Sequence, residues 1–175
     1  MKIYMDHLSH IDMLVSDGPI YNPNIYVGDK KNTHNCYDYA MNNSSTQLEK
    51  THPGYTKLGN DLEGSNVRTC EQMEERLKMD HPELQKILLY KECPRGKYKI
   101  GMMIDPNDDY HFIRQDRNGQ WSHKPGSSNV RNTDFSNSLL VDPSKADFNY
   151  KEESLNYTKK CGYYCISEPH NITKK

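Results

Sequence analysis

The chain has 175 residues, a formal net charge of −1 and a mean hydropathy of −1.01, with 34% hydrophobic residues. This length suits about one domain with one hydrophobic core, so we treat residues 1–175 as a single domain. The small net charge provides no electrostatic attraction for nucleic acid or for an anionic membrane surface. No apolar run has the length of a signal peptide or approaches the roughly 18 residues of a membrane span. We therefore expect a protein of the cytoplasm or of a virion that binds neither nucleic acid nor membranes.

The five cysteines are odd in number and scattered along the chain: Cys36, Cys70, Cys93, Cys161 and Cys165. This usage argues against a disulfide framework, so the sequence predicts a reducing compartment and at least one free thiol. Cys161 and Cys165 could supply half of a zinc site, but the chain has no second pair with the spacing of zinc ligands. We therefore expect no metal site and no other cofactor.

The first part of the chain predicts an arm, a short helix and a loop. Residues 1–32 combine prolines and glycines with brief apolar stretches, which indicates an extended arm or a weak edge strand. A helix is predicted to begin near Cys36, because Thr33 or Asn35 can cap it and Cys36 then lies in its first turn. Residues 42–64 are rich in Ser, Thr, Asn and Gly and indicate a loop.

Two consecutive helices are predicted after this loop, near residues 70–79 and 81–91. The stretch from Thr69 to Gln72 has the spacing of an N-terminal capping box. Pro82 suits the first turn of a second helix better than the interior of one long helix, which is why we predict two helices.

Strands follow the helices along the chain. One is predicted from Lys97 to Ile104 and a last one from Gly162 to Ile166, with polar loops before the last strand. Helices followed by strands predict an α+β fold. Residues 33–124 would form its core, and residues 125–175 would add loops and the last strand.

The most informative stretch runs from Asp109 to Lys124, where two runs of strand-forming residues flank Asn118-Gly119. Asn-Gly between such runs is the strongest short signal for a β-hairpin. His111 and His123 lie near the outer ends of this hairpin. Two imidazoles on one face of neighbouring strands would form a general base and the group that orients it.

The length of the hairpin loop decides whether the two histidines share a face of the sheet. In a three-residue loop that ends at Gly119, His123 falls on the face of His111, and Gly119 is predicted to have a positive φ. In a two-residue loop, His123 falls on the opposite face. Gln115 or Asp116 would then be the third member of the site.

Cys36 supplies the nucleophile that the histidine hairpin lacks. A free thiol has a pKa of about 8.5, and a helix N-terminus or a nearby imidazolium lowers it. Cys36 is placed for both effects. The backbone N–H groups of the same helical turn can also receive the oxyanion of a tetrahedral intermediate.

These residues resemble the NlpC/P60 cysteine peptidases, a branch of the papain-like fold. Members of that family share a Cys at a helix start, a Pro-Gly turn leading into a strand, and two histidines in the spacing His-x11-His. Here the same order is Asn35-Cys36, Pro94-Arg95-Gly96, His111 and His123, within residues 33–124. The family's usual Asp-Cys-Ser-Gly is replaced by a different sequence around Cys36.

The resemblance implies N-terminal helices that carry the cysteine and pack on an antiparallel sheet that carries the histidines. It also implies Cys36 as nucleophile, His111 as general base and His123 as the orienting group.

Two functional hypotheses from different classes follow. The first is a thiol-dependent peptidase or amidase, viral or phage-borne, that cleaves a peptide, isopeptide or peptidoglycan-like amide through a thioester on Cys36. The alternative is a non-catalytic structural or interaction protein on the same fold, such as a virion component or an effector. A small zinc module is a third hypothesis. The sequence does not indicate an oligomeric state.

Overall fold

A computed structural model describes residues 17–59, 69–106 and 108–167, and it has an α+β architecture. The α-helices are α1 (Asp29–Thr33), α2 (Cys36–Ala40), α3 (Tyr55–Leu58) and α4 (Cys70–Asp80). The strands are β1 (Gln85–Ile87), β2 (Lys97–Asp105), β3 (Asp109–Gln115), β4 (Trp121–Ser122), β5 (Asn149–Tyr150), β6 (Leu155–Asn156) and β7 (Lys159–Ser167). Short 3₁₀ turns lie at Pro23–Tyr26 and Lys151–Glu153.

Five of the strands form one antiparallel sheet in the order β1-β7-β2-β3-β4, and β5 pairs with β6 in a small separate ribbon. The strands predicted at residues 97–104 and 162–166 are confirmed as β2 and β7. β7 lies between β1 and β2, although it is the last of the five along the chain.

Each face of the main sheet carries its own hydrophobic core. On one face α2 and α4 pack on the sheet, where Tyr37 and Leu77 meet Phe112. On the other face Ile113 and Trp121 pack with side chains from the region after β4. Because side chains alternate along a strand, neighbouring residues of β3 belong to different cores.

The helix predicted at 70–79 is confirmed as α4, whose cap is Thr69: its side chain accepts a hydrogen bond from the backbone N–H of Gln72. The helix predicted at 81–91 is wrong. Its residues include the strand β1, which pairs with the exposed edge of β7. Backbone pairing with an available edge has overridden the helical spacing of the apolar residues, as tertiary context often does.

The arm predicted at residues 1–32 is only partly within the described chain. Residues 1–16 lie outside it, and residues 17–32 contain a 3₁₀ turn and most of α1 rather than an edge strand. The loop predicted at 42–64 contains the single turn of α3, and its residues 60–64 lie outside the described chain.

Four of the five cysteines form disulfides, Cys70–Cys161 and Cys93–Cys165. The prediction of a chain without a disulfide framework is therefore wrong, and half of a zinc site at Cys161 and Cys165 is excluded. Cys36 is the free thiol. The disulfides span 91 and 72 residues. Loops of that length correspond to a stabilisation of about 4–5 kcal/mol for one disulfide, through the lost entropy of the unfolded chain.

Within the described residues, no group of His, Cys, Asp and Glu side chains is arranged to hold a metal ion. No helix in the same part of the chain is long and apolar enough to cross a membrane.

Candidate active site

The hairpin that joins β3 to β4 has the three-residue loop. Gln115 lies opposite Trp121 in the register, and the backbone N–H of Asp116 donates to the carbonyl of Gln120 at 2.8 Å. Gly119 has a φ of 81°, as predicted for the last residue of that loop. This register places the residue after β4, His123, on the same face of the sheet as His111.

The two imidazoles are in direct contact. His111 Nε2 lies 2.7 Å from His123 Nδ1, and the other nitrogen of His123, Nε2, lies 2.8 Å from the carbonyl oxygen of Thr133. Both side chains are buried. The structure thus brings the predicted base, His111, and its predicted orienting group, His123, together. The carbonyl of Thr133 is a further hydrogen-bond partner, on the far side of His123.

The Thr133 carbonyl fixes the protonation of both rings. A carbonyl only accepts hydrogen bonds, so His123 Nε2 carries the proton and donates it. In a neutral His123, Nδ1 then accepts, and the donor to it is His111 Nε2–H. His111 Nδ1 is left with a lone pair. Burial lowers the pKa of His123 to about 4, and burial together with His123 lowers the pKa of His111 well below its ordinary value, so both rings are neutral at pH 7.

Aromatic side chains enclose the histidine pair. The ring of Tyr157 stacks on His111 with centroids 5.0 Å apart, and Phe135 packs edge-on against His123 at 5.3 Å. Phe148 lies 6.4 Å from the His111 ring. The enclosure of the histidines by Tyr157, Phe135 and Phe148 was not predicted from the sequence. A signal was present, because two of the chain's three phenylalanines occur in a stretch that otherwise resembles polar loop.

Cys36 begins α2, as predicted, and its helix has a capping box. The side chain of Asn35 accepts from the backbone N–H of Asp38 at 3.0 Å, and the Asp38 carboxylate accepts from the Asn35 N–H at 3.0 Å. Asn35 is therefore the cap. Thr33, the other predicted candidate, donates its hydroxyl to the carbonyl of Asp29 within α1.

The thiol of Cys36 is buried, with 5% of the residue exposed. Its Sγ lies 3.9 Å from the carbonyl oxygen of Tyr110. The backbone N–H groups of Phe112 and Tyr37 act to lower the pKa of this thiol. Burial, with added repulsion from Asp109 and Asp38, raises the pKa of Cys36 to about 12. The predicted lowering of the thiol pKa is therefore wrong for this conformation, because burial outweighs the effect of a helix only five residues long.

The thiol of Cys36 and the histidine pair both lie near His111 of β3, but the thiol is part of the first hydrophobic core and the His111 ring packs against the second. Cys36 Sγ lies beside the carbonyl of Tyr110, the residue before His111, while the His111 side chain packs against Tyr157 of the second core. Among the described residues no hydrogen bond joins Cys36 Sγ to His111 or His123. The structure brings the two histidines together and places Cys36 beside the backbone of His111.

Gln115 and Asp116, the predicted alternatives to His123, stabilise the hairpin instead of taking part in the histidine pair. Gln115 donates its side-chain amide to the carbonyl of Gly119 at 3.0 Å, inside the loop. Asp116 accepts from Arg114 Nε at 3.0 Å and from the Ser122 hydroxyl at 2.6 Å. Both alternatives depended on a two-residue loop, which the register excludes.

No family model matches the chain, and no solved structure matches it. A curated protein does match part of it. Over 48 residues the chain is 50% identical to insoluble matrix shell protein 1 of Ruditapes philippinarum. The matched stretch is 27% of this chain and spans 32%, about a third, of the shell protein's length. This similarity concerns one segment and does not assign the whole chain to a family.

Proposed function

We propose that the protein is a thiol-dependent amide hydrolase on a papain-like scaffold of the NlpC/P60 type. Cys36 is the nucleophile, His111 the general base and His123 the orienting group. The observation that supports this most strongly is the chain of hydrogen bonds from His111 through His123 to the Thr133 carbonyl. It leaves the lone pair of His111 Nδ1 available to a proton donor, which a base in such a site requires.

The reaction would begin with transfer of the Cys36 proton to His111 Nδ1. The thiolate attacks the carbonyl carbon of the amide, and first-turn N–H groups of α2 other than that of Asp38, which donates to the Asn35 cap, receive the oxyanion. Protonated His111 then gives its proton to the leaving amine as the C–N bond breaks, which leaves a thioester. Water, deprotonated by His111, attacks the thioester, releases the carboxylic acid and restores the thiol of Cys36.

The described conformation represents a resting state for this chemistry. Cys36 is protonated and enclosed, so catalysis requires that its side chain turn toward His111 and become accessible to substrate. The proposed substrate is a peptide or isopeptide amide, with peptidoglycan-like peptides as the class typical of the resembled family.

A panel of fluorogenic peptide amides and muropeptides, incubated with the full chain with its disulfides intact, tests the proposal. We expect hydrolysis that is abolished in Cys36→Ala and lowered by at least about a hundredfold in His111→Ala, the size expected for loss of a general base. His81→Gln is the control, since His81 is a buried histidine at the end of α4 outside the proposed triad. Hydrolysis that persists in Cys36→Ala would refute the proposal.

A second candidate is a non-catalytic structural component of an extracellular matrix. Three observations favour it: two disulfides, the enclosed and protonated Cys36, and the partial similarity to a shell matrix protein. Disulfides are typical of oxidising compartments, so they favour this location over the cytoplasm expected from the sequence. This candidate predicts that Cys36→Ala leaves the incorporation of the protein into an insoluble matrix unchanged. A loss of incorporation in that variant would argue against it.

A further inference from the structure

Lys124 follows His123 directly, and its side chain is fully buried. Its ammonium donates to three backbone carbonyls: those of Lys31 at 2.7 Å, His34 at 2.6 Å and Gly126 at 2.6 Å. A lysine is rarely fully buried unless its charge has a partner. In the described part of the chain, no carboxylate lies within salt-bridge distance of Lys124. Carbonyl dipoles therefore hold this charge.

Two of the three carbonyls belong to the segment that leads into the candidate nucleophile. Lys31 lies in α1, and His34 is the residue that follows α1, two positions before Cys36. The Lys124 ammonium therefore sits where α1 ends and α2 begins. One side chain thus links the strand region of His123 to the segment of Cys36.

The backbone N–H groups of Phe112 and Tyr37 favour a negative charge on the Cys36 thiol, but the side chains around it oppose one. Asp109 faces it from β3 and Asp38 from its own helix, and both raise its pKa. The hydroxyls of Tyr110 and Tyr157 also lie within electrostatic range of the thiol. A cation near this site would oppose the two carboxylates.

We propose that Lys124 is a positioning residue of the candidate active site, whose ammonium holds the Cys36 segment against the histidine hairpin and favours the Cys36 thiolate. This inference rests on the proposed hydrolase function, because a non-catalytic thiol gains nothing from a nearby cation. Three carbonyl acceptors match the three N–H groups of an ammonium, and a neutral amine could satisfy only two of them.

The charge of Lys124 is present at neutral pH and lost in mild alkali. Burial lowers its pKa to about 8, with a contribution from the nearby Lys50 and a smaller one from Lys31, whereas Cys36 and Asp38 act in the opposite direction. The ammonium therefore predominates at pH 7. Any help that it gives to the Cys36 thiolate must fade above about pH 8.

The test is the rate of alkylation of Cys36 by iodoacetamide from pH 6 to 9.5, in the full chain with both disulfides intact. Cys36 is the free thiol, so the label reports this residue. The variants are Lys124→Gln, which removes the charge, and Lys124→Arg, which keeps it at every pH of the series. Lys30→Gln is the matched control, because Lys30 is a lysine of α1 that also donates to a backbone carbonyl, that of Ser44.

We expect Lys124→Gln to lower the alkylation rate at pH 7 by about tenfold, equivalent to a rise of about one unit in the thiol pKa, and Lys124→Arg and Lys30→Gln to leave it near wild type. The wild-type rate should rise in proportion to hydroxide below pH 8 and less steeply above it, whereas Lys124→Arg should show no such break. Circular dichroism identifies variants that fold.

A folded Lys124→Gln with the wild-type rate would overturn the proposal and leave Lys124 as a structural clamp. Should neither variant fold, the wild-type series decides alone, and a profile without a break near pH 8 overturns the proposal. Because alkylation requires no turnover, these outcomes are independent of amide hydrolysis. A wild-type protein without hydrolase activity would contradict the proposed function and not the effect of Lys124 on the thiol.

Discussion

The buried ion pair of the hairpin provides the sharpest test of how this site is held. Arg114 and Asp116 are only 2% and 1% exposed, and Arg114 Nε donates to Asp116 Oδ1 at 3.0 Å. Arg114 also donates to the carbonyl of Tyr39 at 3.0 Å, and its guanidinium stacks on the Tyr39 ring at 3.9 Å. The pair therefore joins the C-terminal end of the Cys36 helix to the histidine hairpin.

Asp116→Asn retains the shape of the side chain and removes its charge, so that Arg114 is left buried without its counter-ion. Removing one partner of a buried pair costs about 3–5 kcal/mol. The amide oxygen of an asparagine can still accept from Ser122, so we expect a loss near the lower limit, about 3 kcal/mol in the free energy of unfolding.

Urea unfolding with intact disulfides measures this loss, and Trp121, the chain's one tryptophan, is a buried fluorescence probe on the adjacent strand. Ser122→Ala is the control, because it removes two buried hydrogen bonds, to Asp116 and to the Tyr39 hydroxyl, but no charge, with an expected loss of about 2 kcal/mol. The double change Arg114→Met with Asp116→Leu should recover most of the stability, since it leaves no unpaired charge. A loss below about 1 kcal/mol in Asp116→Asn, at an unchanged urea dependence, would refute this account of the hairpin.

Three further outcomes are expected. The pKa of His123 is lowered to about 4, so its contribution to stability is complete above its unfolded pKa of about 6.5. That contribution is lost as the pH falls from about 6.5 toward 4, at a cost of about 3 kcal/mol in the free energy of unfolding. His123→Gln should show a shallower fall in unfolding free energy over this pH range, and an equal fall would contradict the assigned neutral imidazole. Gly119→Ala places a Cβ at a φ of 81° and should lower the free energy of unfolding in urea by about 1–2 kcal/mol. Gly96→Ala is a matched control with a φ of 79° in another turn, and it should cost a similar amount without altering the pH dependence of stability that His123 causes. Mass spectrometry of the denatured chain should find one thiol alkylated by iodoacetamide before reduction and five after it, and more than one before reduction would contradict the two disulfides.

Local sequence signals were sufficient for the hairpin and for the start of α2. Asn118-Gly119 predicted the turn, and the need for His111 and His123 to share a face selected the three-residue loop that the structure has. Thr33 and Asn35 were both predicted as possible caps of α2, and the cap is Asn35. Each of these features depends on residues close together in the chain, where turn and cap chemistry dominate.

Features set by contacts between distant residues were not predictable in this way. The disulfides join residues 91 and 72 positions apart, and nothing in the spacing of the cysteines indicates that pairing. The strand β1 exists because β7 provides an edge for it. The raised pKa of Cys36 likewise follows from burial by β3, which a helix cap alone cannot indicate.

The position of β7 sets the order in which the molecule can be built. This strand fills the gap between β1 and β2 and carries a cysteine partner for each of the two earlier halves of the disulfides. In a nascent chain that ends before β7, the edges of β1 and β2 that pair with β7 have no partner strand. Cys70 and Cys93 are then thiols whose disulfide partners have not yet been synthesised. Such edges promote association with other chains. Assembly of the sheet is thus a late step in biosynthesis. The surroundings of the chain as β7 emerges decide whether Cys70 and Cys93 form disulfides with Cys161 and Cys165 or with another molecule.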